Sequence, residues 1–383
     1  MPKFLFNILA LISLVVNVFF VADFSGGGAE RVVSLLGNEL VGRGYEIFII
    51  TDTHIPFAYP FRKDILFFDV PFSSGRKYDW LKALKRSRVI VQDIRPDIVI
   101  TIMPLMFLMA KIAMRGIPIP VIASDHTSFE RKLPFHIRLI RKFFYKWADM
   151  LTVLTKADSV YIGSHIKNKV VMPNPVSYPV FTGECRREKC ILAVGRLDVW
   201  KVKGFDLLIR AWGSIAKQYP DWNLKIAGTG RPESFHLLRR LALECGCIGQ
   251  IEFLGFRSDI DLLMRQSAIF VLSSREEGFG LVLAEAMSQG CACISFDHGG
   301  RQREIITPDF SGILLETHSC QLLAEAMSKL IADDSCRQKL SINARKDVVK
   351  FSLNKVVDLW EDLIRKVVLK KFVCLDRDVD KNK

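Results

Sequence analysis

The sequence predicts an α/β protein of two doubly wound domains, each a parallel sheet covered by helices on both faces. Three observations carry that expectation. At 383 residues the chain exceeds what one core sustains, because cores stop growing near about 250–300 residues and chains then divide. Short apolar, β-branched runs alternate with longer amphipathic stretches, as strands alternate with the helices that wind them into a parallel sheet. The segment Pro173-Asn174-Pro175 interrupts this alternation, which then restarts.

Taken in chain order, the first strand is placed at 15–22, since this apolar run leads directly into Ser25-Gly26-Gly27-Gly28-Ala29-Glu30, as a buried strand leads into its loop. The uncharged stretch from Phe4 to Ala22 is also long enough to span a bilayer. One segment cannot serve both purposes, and residues 1–14 are left as an apolar extension. Further strands are expected at 46–51, 97–101, 121–124 and 150–154. Two prolines forbid a helix and break a central strand, so the hinge is placed at 170–176. Strands then follow at 190–195, 223–228, 251–254, 268–273 and 291–296. A closing helix at 353–372 carries Val356, Val357, Leu359, Trp360, Leu363, Ile364 and Val367 along one side, a stripe that needs a groove. The expected domains are 15–173 and 176–352, with the helix 353–372 crossing back toward the first.

Half of the residues are hydrophobic and no tract is compositionally biased, so little disorder is expected. The formal charge is +13, and residues 1–175 hold 23 Lys/Arg against 14 Asp/Glu. The first half therefore calls for an anionic partner. With no zinc-ligand spacing or RNA-recognition signature, nucleic acid is set aside in favour of phosphorylated substrates and an anionic membrane surface. The nine cysteines begin at Cys185, and Cys245/Cys247 and Cys291/Cys293 are C-x-C pairs. Neither a disulfide framework nor a structural zinc site follows, and a reducing, cytoplasmic compartment is expected.

The segment from Ser273 to Gly290 reads as strand end, glycine loop, short helix and glycine stop. Free amides around Gly280, Leu281 and Val282 open that helix toward an anion. Glu285, about a turn inside, is positioned to accept bonds from ribose hydroxyls, and Glu277, just ahead of Gly278 and Phe279, to reach a sugar. Two glutamates at this spacing are by themselves weak evidence.

Glu277-x7-Glu285 within Glu-Gly-Phe-Gly…Glu-Ala-Met…Gly resembles the signature of glycosyltransferase family 4, retaining enzymes of the GT-B type with two Rossmann-like domains facing across a cleft. The similarity runs from Gly26 to about Trp360 and points to bacterial surface-polysaccharide hexosyltransferases. It implies that Arg196 and Lys203 bind the donor diphosphate, with Lys201 competing for the second role. It also implies that His126 lies near the reacting sugar, and that Gly26, Gly27, Gly28 and Gly228 approach the donor. Asp297-His298-Gly299-Gly300-Arg301-Gln302-Arg303-Glu304 looks like the family's Gly-Gly…Glu loop, one residue longer than usual.

The expected reaction is transfer of a hexosyl unit from a nucleoside-diphosphate sugar, with UDP favoured, to a glycan or lipid-linked glycan. The alternatives are an epimerase or phosphorylase on the same fold, or an inert membrane-associated partner of another transferase. Asp259-Ile260-Asp261 and Asp376-Arg377-Asp378-Val379-Asp380 match the metal-binding Asp-x-Asp of other transferases, but both read as solvated faces. Fixed cations and helix amides are expected to replace a metal, and no cofactor is expected beyond the donor. Residues 131–147 combine six cations with five aromatics, which suggests a surface-lying basic helix on the cytoplasmic face of the inner membrane. Residues 76–88 add six more cations.

Overall fold

The computed structural model describes residues 16–22, 27–70, 72 and 79–381, with side chains described through Lys371. Gly26, Arg76, Lys77 and the apolar extension 1–14 fall outside the described residues. The first domain opens with β1 (Asn17–Val21), α1 (Gly28–Gly42), β2 (Glu46–Thr51), β3 (Leu66–Asp69) and α2 (Asp79–Ile94). It continues through β4 (Ile98–Ile102), α3 (Pro104–Ala113), β5 (Val121–Asp125), α4 (Phe135–Leu139), β6 (Met150–Val153), α5 (Lys156–Ile162) and β7 (Lys169–Val171). The strands form one parallel sheet ordered β3-β2-β1-β4-β5-β6-β7. Phe19 and Phe20 of β1 point to opposite faces and are both fully buried, as a central strand covered on both sides requires.

The second domain is built from β8 (Glu188–Val194), α6 (Phe205–Ile215), β9 (Asn223–Ala227), α7 (Pro232–Glu244), β10 (Ile251–Gly255) and α8 (Ile260–Gln266). Then come β11 (Ser267–Leu272), α9 (Leu281–Ser288), β12 (Ala292–Phe296), β13 (Ile313–Leu315), α10 (Cys320–Ala332) and α11 (Asp334–Asp347). Its parallel sheet is ordered β10-β9-β8-β11-β12-β13. The strand order reverses between β1 and β4 in one sheet and between β8 and β11 in the other. Open α/β sheets bind ligands outside the carboxyl ends of the strands at such a reversal. The loops that leave β1, β8 and β11 therefore define where a ligand belongs.

The final helix, α12 (Leu353–Lys381), continues past Phe372. Its buried Val356, Val357, Trp360, Leu363, Ile364 and Val367 join the first domain's core with Val18, Phe20, Leu36 and Leu40, which supplies the groove for the expected stripe except at Leu359, which faces solvent. Arg43 at the end of α1 bonds Asp358 at 2.6 Å and Glu361 at 2.5 Å, fixing the helix in place. Val176 N donates to Phe351 O at 2.8 Å, so the two chain segments joining the domains run together.

Two sequence expectations are corrected. The start of the assigned hinge, at Val170, belongs to β7, which pairs with β6 and leaves only the proline segment as connection. Arg141 is not a surface cation: its guanidinium grips the buried Asp125 through Nε and Nη2, both at 2.8 Å, and Tyr145 donates to the same carboxylate at 2.9 Å. The helix begun by α4 widens to a π turn at Ile140–Phe144 so that Ile140, Arg141 and Tyr145 face inward. The eight described cysteines are free thiols. Asp259 pairs with Arg257 and Asp261 with Arg265, and no cluster of His, Cys, Asp and Glu fit for a metal occurs among the described residues.

Candidate active site

Glu277 lies in the loop between β11 and α9, at the carboxyl edge of the second sheet. Its Oε1 accepts from Lys203 Nζ at 2.7 Å and from Ser274 Oγ at 2.6 Å. Burial pushes the Glu277 carboxyl up, but Lys203 and Ser274 outweigh it, and the net shift is downward. The group is therefore ionised at neutral pH. Lys203 gets there because Gly204 adopts φ 65° and packs against β11's end: a Cβ on Gly204 would lie 1.8 Å from Ser273 O. Only glycine permits both the turn and the contact. Lys201 instead lies over the Trp200 ring at 5.2 Å, so Lys203 is the one beside Glu277. Arg196 is exposed, 3.6 Å from Asp198.

Gly228, at the end of β9, passes so close to the loop after β8 that a Cβ would meet Gly195 O at 1.8 Å. This contact brings backbone from two strand ends together at the cleft. Gly280 precedes α9, and the amides of Leu283 and Ala284 bond back to Gly280 O. The amides of Leu281 and Val282 thus open the helix, as expected of its first turn. Phe279 is buried edge-on against Phe351, 5.2 Å between centroids, and anchors this loop to the domain.

The first domain meets this loop directly. A Cβ on Gly278 would lie 2.8 Å from His126 O, so the backbones of the two domains touch there. His126 Nε2 is 3.0 Å from Ser124 Oγ, which accepts from Thr152 Oγ1 at 2.8 Å. Burial pulls the His126 pKa down to about 4, against the opposing pull of Asp125 and Asn174. Gly27 and Gly28 start α1 with open space where a Cβ would sit.

Glu285 is 2 % exposed. It accepts from Ser177 Oγ at 2.6 Å and pairs with Arg31 of the first domain at 2.9 Å. Burial raises its pKa, and Arg31 and Ser177 offset this only in part. The Arg31 guanidinium lies 4.8 Å from the Tyr178 ring and 5.4 Å from the Tyr59 ring. A second link crosses the cleft in the loop after β12. Arg301 donates to Asp158 at 2.7 Å and Glu130 at 3.0 Å, while Glu304 accepts from Ala157 N at 3.2 Å.

The sequence reasoning did not assign Arg31, Ser177, Asp158, Arg301 or His298 to the site. Arg31 follows the glycine loop immediately, and Arg301 and His298 stand in the Gly-Gly…Glu loop, so position alone marked three of them.

His298, like His126, has its pKa drawn down to about 4, first by burial and despite the nearby Glu277. Unfolded imidazoles take up protons near 6.5. Between these values the unfolded chain binds more protons, so stability is full above pH 6.5 and is lost as pH falls toward 4. Each ring contributes on the order of 3 kcal/mol to that loss. Urea titrations at pH 7 and pH 5 should show a fall that is smaller in His298→Gln. An equal fall in variant and wild type would remove His298 from this effect.

The chain matches two family models, Glycosyltransferase Family 4 over residues 26–177 and Glycosyl transferases group 1 over residues 181–347. It is 24 % identical over 366 residues, 91 % of this chain and 98 % of the relative, to a Campylobacter jejuni α-1,4-N-acetyl-D-galactosaminyltransferase. It is 25 % identical over 362 residues to the amylovoran biosynthesis glycosyltransferase AmsD of Erwinia amylovora, covering 89 % of this chain and 96 % of that protein. The fold is shared with Anabaena HepE, solved in complex with UDP, at a TM-score of 0.75 and 16 % identity, covering 92 % of this chain and 100 % of that one. Two family matches that together take in both domains, and the fold they share, place this chain in glycosyltransferase family 4, as an enzyme of the GT-B type.

Proposed function

We propose that the protein transfers a hexosyl unit from a nucleoside-diphosphate sugar, with UDP the favoured carrier, to a hydroxyl of a glycan or lipid-linked glycan, retaining the anomeric configuration. The observation that carries this reading is the ionised Glu277–Lys203 pair at the carboxyl edge of the second sheet, with His126 brought against the same loop from the first domain. Lys203, with Arg196 and the amides of Leu281 and Val282, offsets charge as the diphosphate departs. Glu277 and His126 flank the sugar, and the acceptor attacks from the face that the diphosphate leaves. The relatives support the class of product: by name, the Campylobacter jejuni enzyme acts on a glycan carried by undecaprenyl diphosphate and the Erwinia amylovora enzyme serves amylovoran synthesis.

Glu285 binds ribose in this reading. In the free protein its carboxylate is already held by Arg31 and Ser177, so ribose shares or displaces that pair. Thermal shift with a panel of nucleotides identifies the base, because a ligand at 100 times its Kd adds about 2.7 kcal/mol. Glu285→Ala is then expected to weaken the best diphosphate about tenfold to a hundredfold. Unchanged affinity for both UDP and GDP in a folded variant excludes the ribose role.

The same reading places the enzyme at the cytoplasmic face of the membrane. No helix among the described residues is long and apolar enough to cross a bilayer. Phe135 is 71 % exposed and Trp147 56 %, with Phe143 exposed between them. Arg131, Lys132, Arg138, Lys142 and Lys146 are exposed around these rings. Cations beside exposed aromatics suit an anionic interface, at about 1 kcal/mol per cation. Reversing Arg138, Lys142 and Lys146 together should release the protein from vesicles containing phosphatidylglycerol and leave diphosphate affinity intact. Binding that ignores both salt and these substitutions defeats the attachment.

A further inference from the structure

His298 is only 7 % exposed, yet neither ring nitrogen has a partner in the protein. Among the described residues it is the one buried side chain with two such atoms. Buried polar groups are almost always bonded, and an exception needs an explanation. Its position supplies one. His298 follows β12 at the carboxyl edge of the second sheet, within electrostatic reach of Glu277.

The residue is held on every side except at its nitrogens. Its ring stacks on His318 at 5.4 Å and 25°, and His318 in turn lies 4.8 Å from the Phe296 ring. Its backbone N–H donates to Gln302 Oε1 at 2.9 Å, and its carbonyl accepts from Arg301 Nη1 at 2.8 Å. Gln302 also donates to Phe279 O at 3.2 Å, which ties the His298 loop to the Glu277 loop. The imidazole is thus oriented in advance by packing and backbone bonds, as recognition groups must be.

We propose that His298 reads the transferred sugar, a ring nitrogen exchanging a hydrogen bond with a hydroxyl of the donor hexose beside Glu277. A neutral imidazole has one donor and one acceptor on diverging nitrogens, and a sugar hydroxyl, which both donates and accepts, can answer whichever of them faces it. Burial keeps the ring neutral at physiological pH, with a pKa of about 4. The proposal rests on the nucleoside-diphosphate-sugar reading of the site and adds a specificity residue to it.

The test is calorimetric titration of the full-length protein, wild type and His298→Phe, with UDP, GDP and their hexose and N-acetylhexosamine conjugates. The readout is the ratio of conjugate affinity to diphosphate affinity for the best conjugate. His298→Phe should lower this ratio about tenfold to a hundredfold, with diphosphate binding unchanged within about twofold. His298→Gln, which keeps a donor and an acceptor, should recover part of the ratio; His298→Ala decides if the Phe variant does not fold. An unchanged ratio, whether both affinities hold or both fall together, overturns the proposal and leaves His298 a packing role. Failure of the wild type to bind any diphosphate or conjugate overturns the underlying reading instead.

Discussion

Glu277→Gln is expected to lower kcat about a hundredfold to a thousandfold while diphosphate affinity changes by no more than a few-fold. The substitution keeps the side chain's shape and its contact with Ser274 Oγ but removes the charge that Lys203 Nζ meets at 2.7 Å. That charge is fixed in a largely enclosed place, its side chain 12 % exposed, and held ionised by Lys203 and Ser274 against desolvation. In such a setting a single preorganised group is worth far more than it is in water. Because the proposed contact is with the sugar, the loss belongs to the chemical step. Single-turnover kinetics separate it from release, and calorimetry with UDP or GDP reads the binding term. Turnover equal to wild type would take Glu277 out of the site.

Arg301→Met is expected to destabilise the protein by about 3–5 kcal/mol, the usual consequence of leaving a buried charge without its partner. Asp158, 1 % exposed, is the charge left behind. Thr155 Oγ1 and the amide of Phe129 still donate to it, at 2.7 and 2.9 Å, so its carboxylate stays bonded but loses its cation. Arg301→Met combined with Asp158→Asn should destabilise by less than the sum of the two single changes, because the double variant buries no lone charge. Denaturant melts of the four proteins measure the coupling. Strict additivity would mean that the contact across the cleft contributes little to holding the domains together.

The sheets were legible in the sequence wherever strands were long and covered on both faces. The expected 46–51 coincides with β2, and the other nine placements differ from the observed strands by a few residues at most. What escaped was short or lay at an edge. β3 is four residues, half exposed, and β7 and β13 are three residues each. Such runs carry too little periodicity to register. The glycine loop ahead of α9 was readable as a local motif, since its spacing along the chain is its geometry. Arg301 and Asp158 are 143 residues apart and face each other only because the two sheets do. No local pattern predicts which buried carboxylate a given arginine will find. The basic helix was misjudged at one position for a related reason: Arg141 reads like its cationic neighbours until the Asp125 carboxylate beneath it is known.

The crossover of α12 has a consequence for how the chain is made. The first domain's core closes over Trp360, Leu363 and Ile364, residues that leave the ribosome long after Met172, which lies in the same core. At synthesis rates of about 5–20 residues per second, that delay is about 10–40 s. Throughout it, the groove that receives Trp360 remains open to water or to whatever nascent-chain chaperone is at hand. The half of the protein synthesised first is thus among the last to be finished. A ribosome stalled late in the second domain, before residue 353, presents the first sheet with the groove beside α1 unfilled.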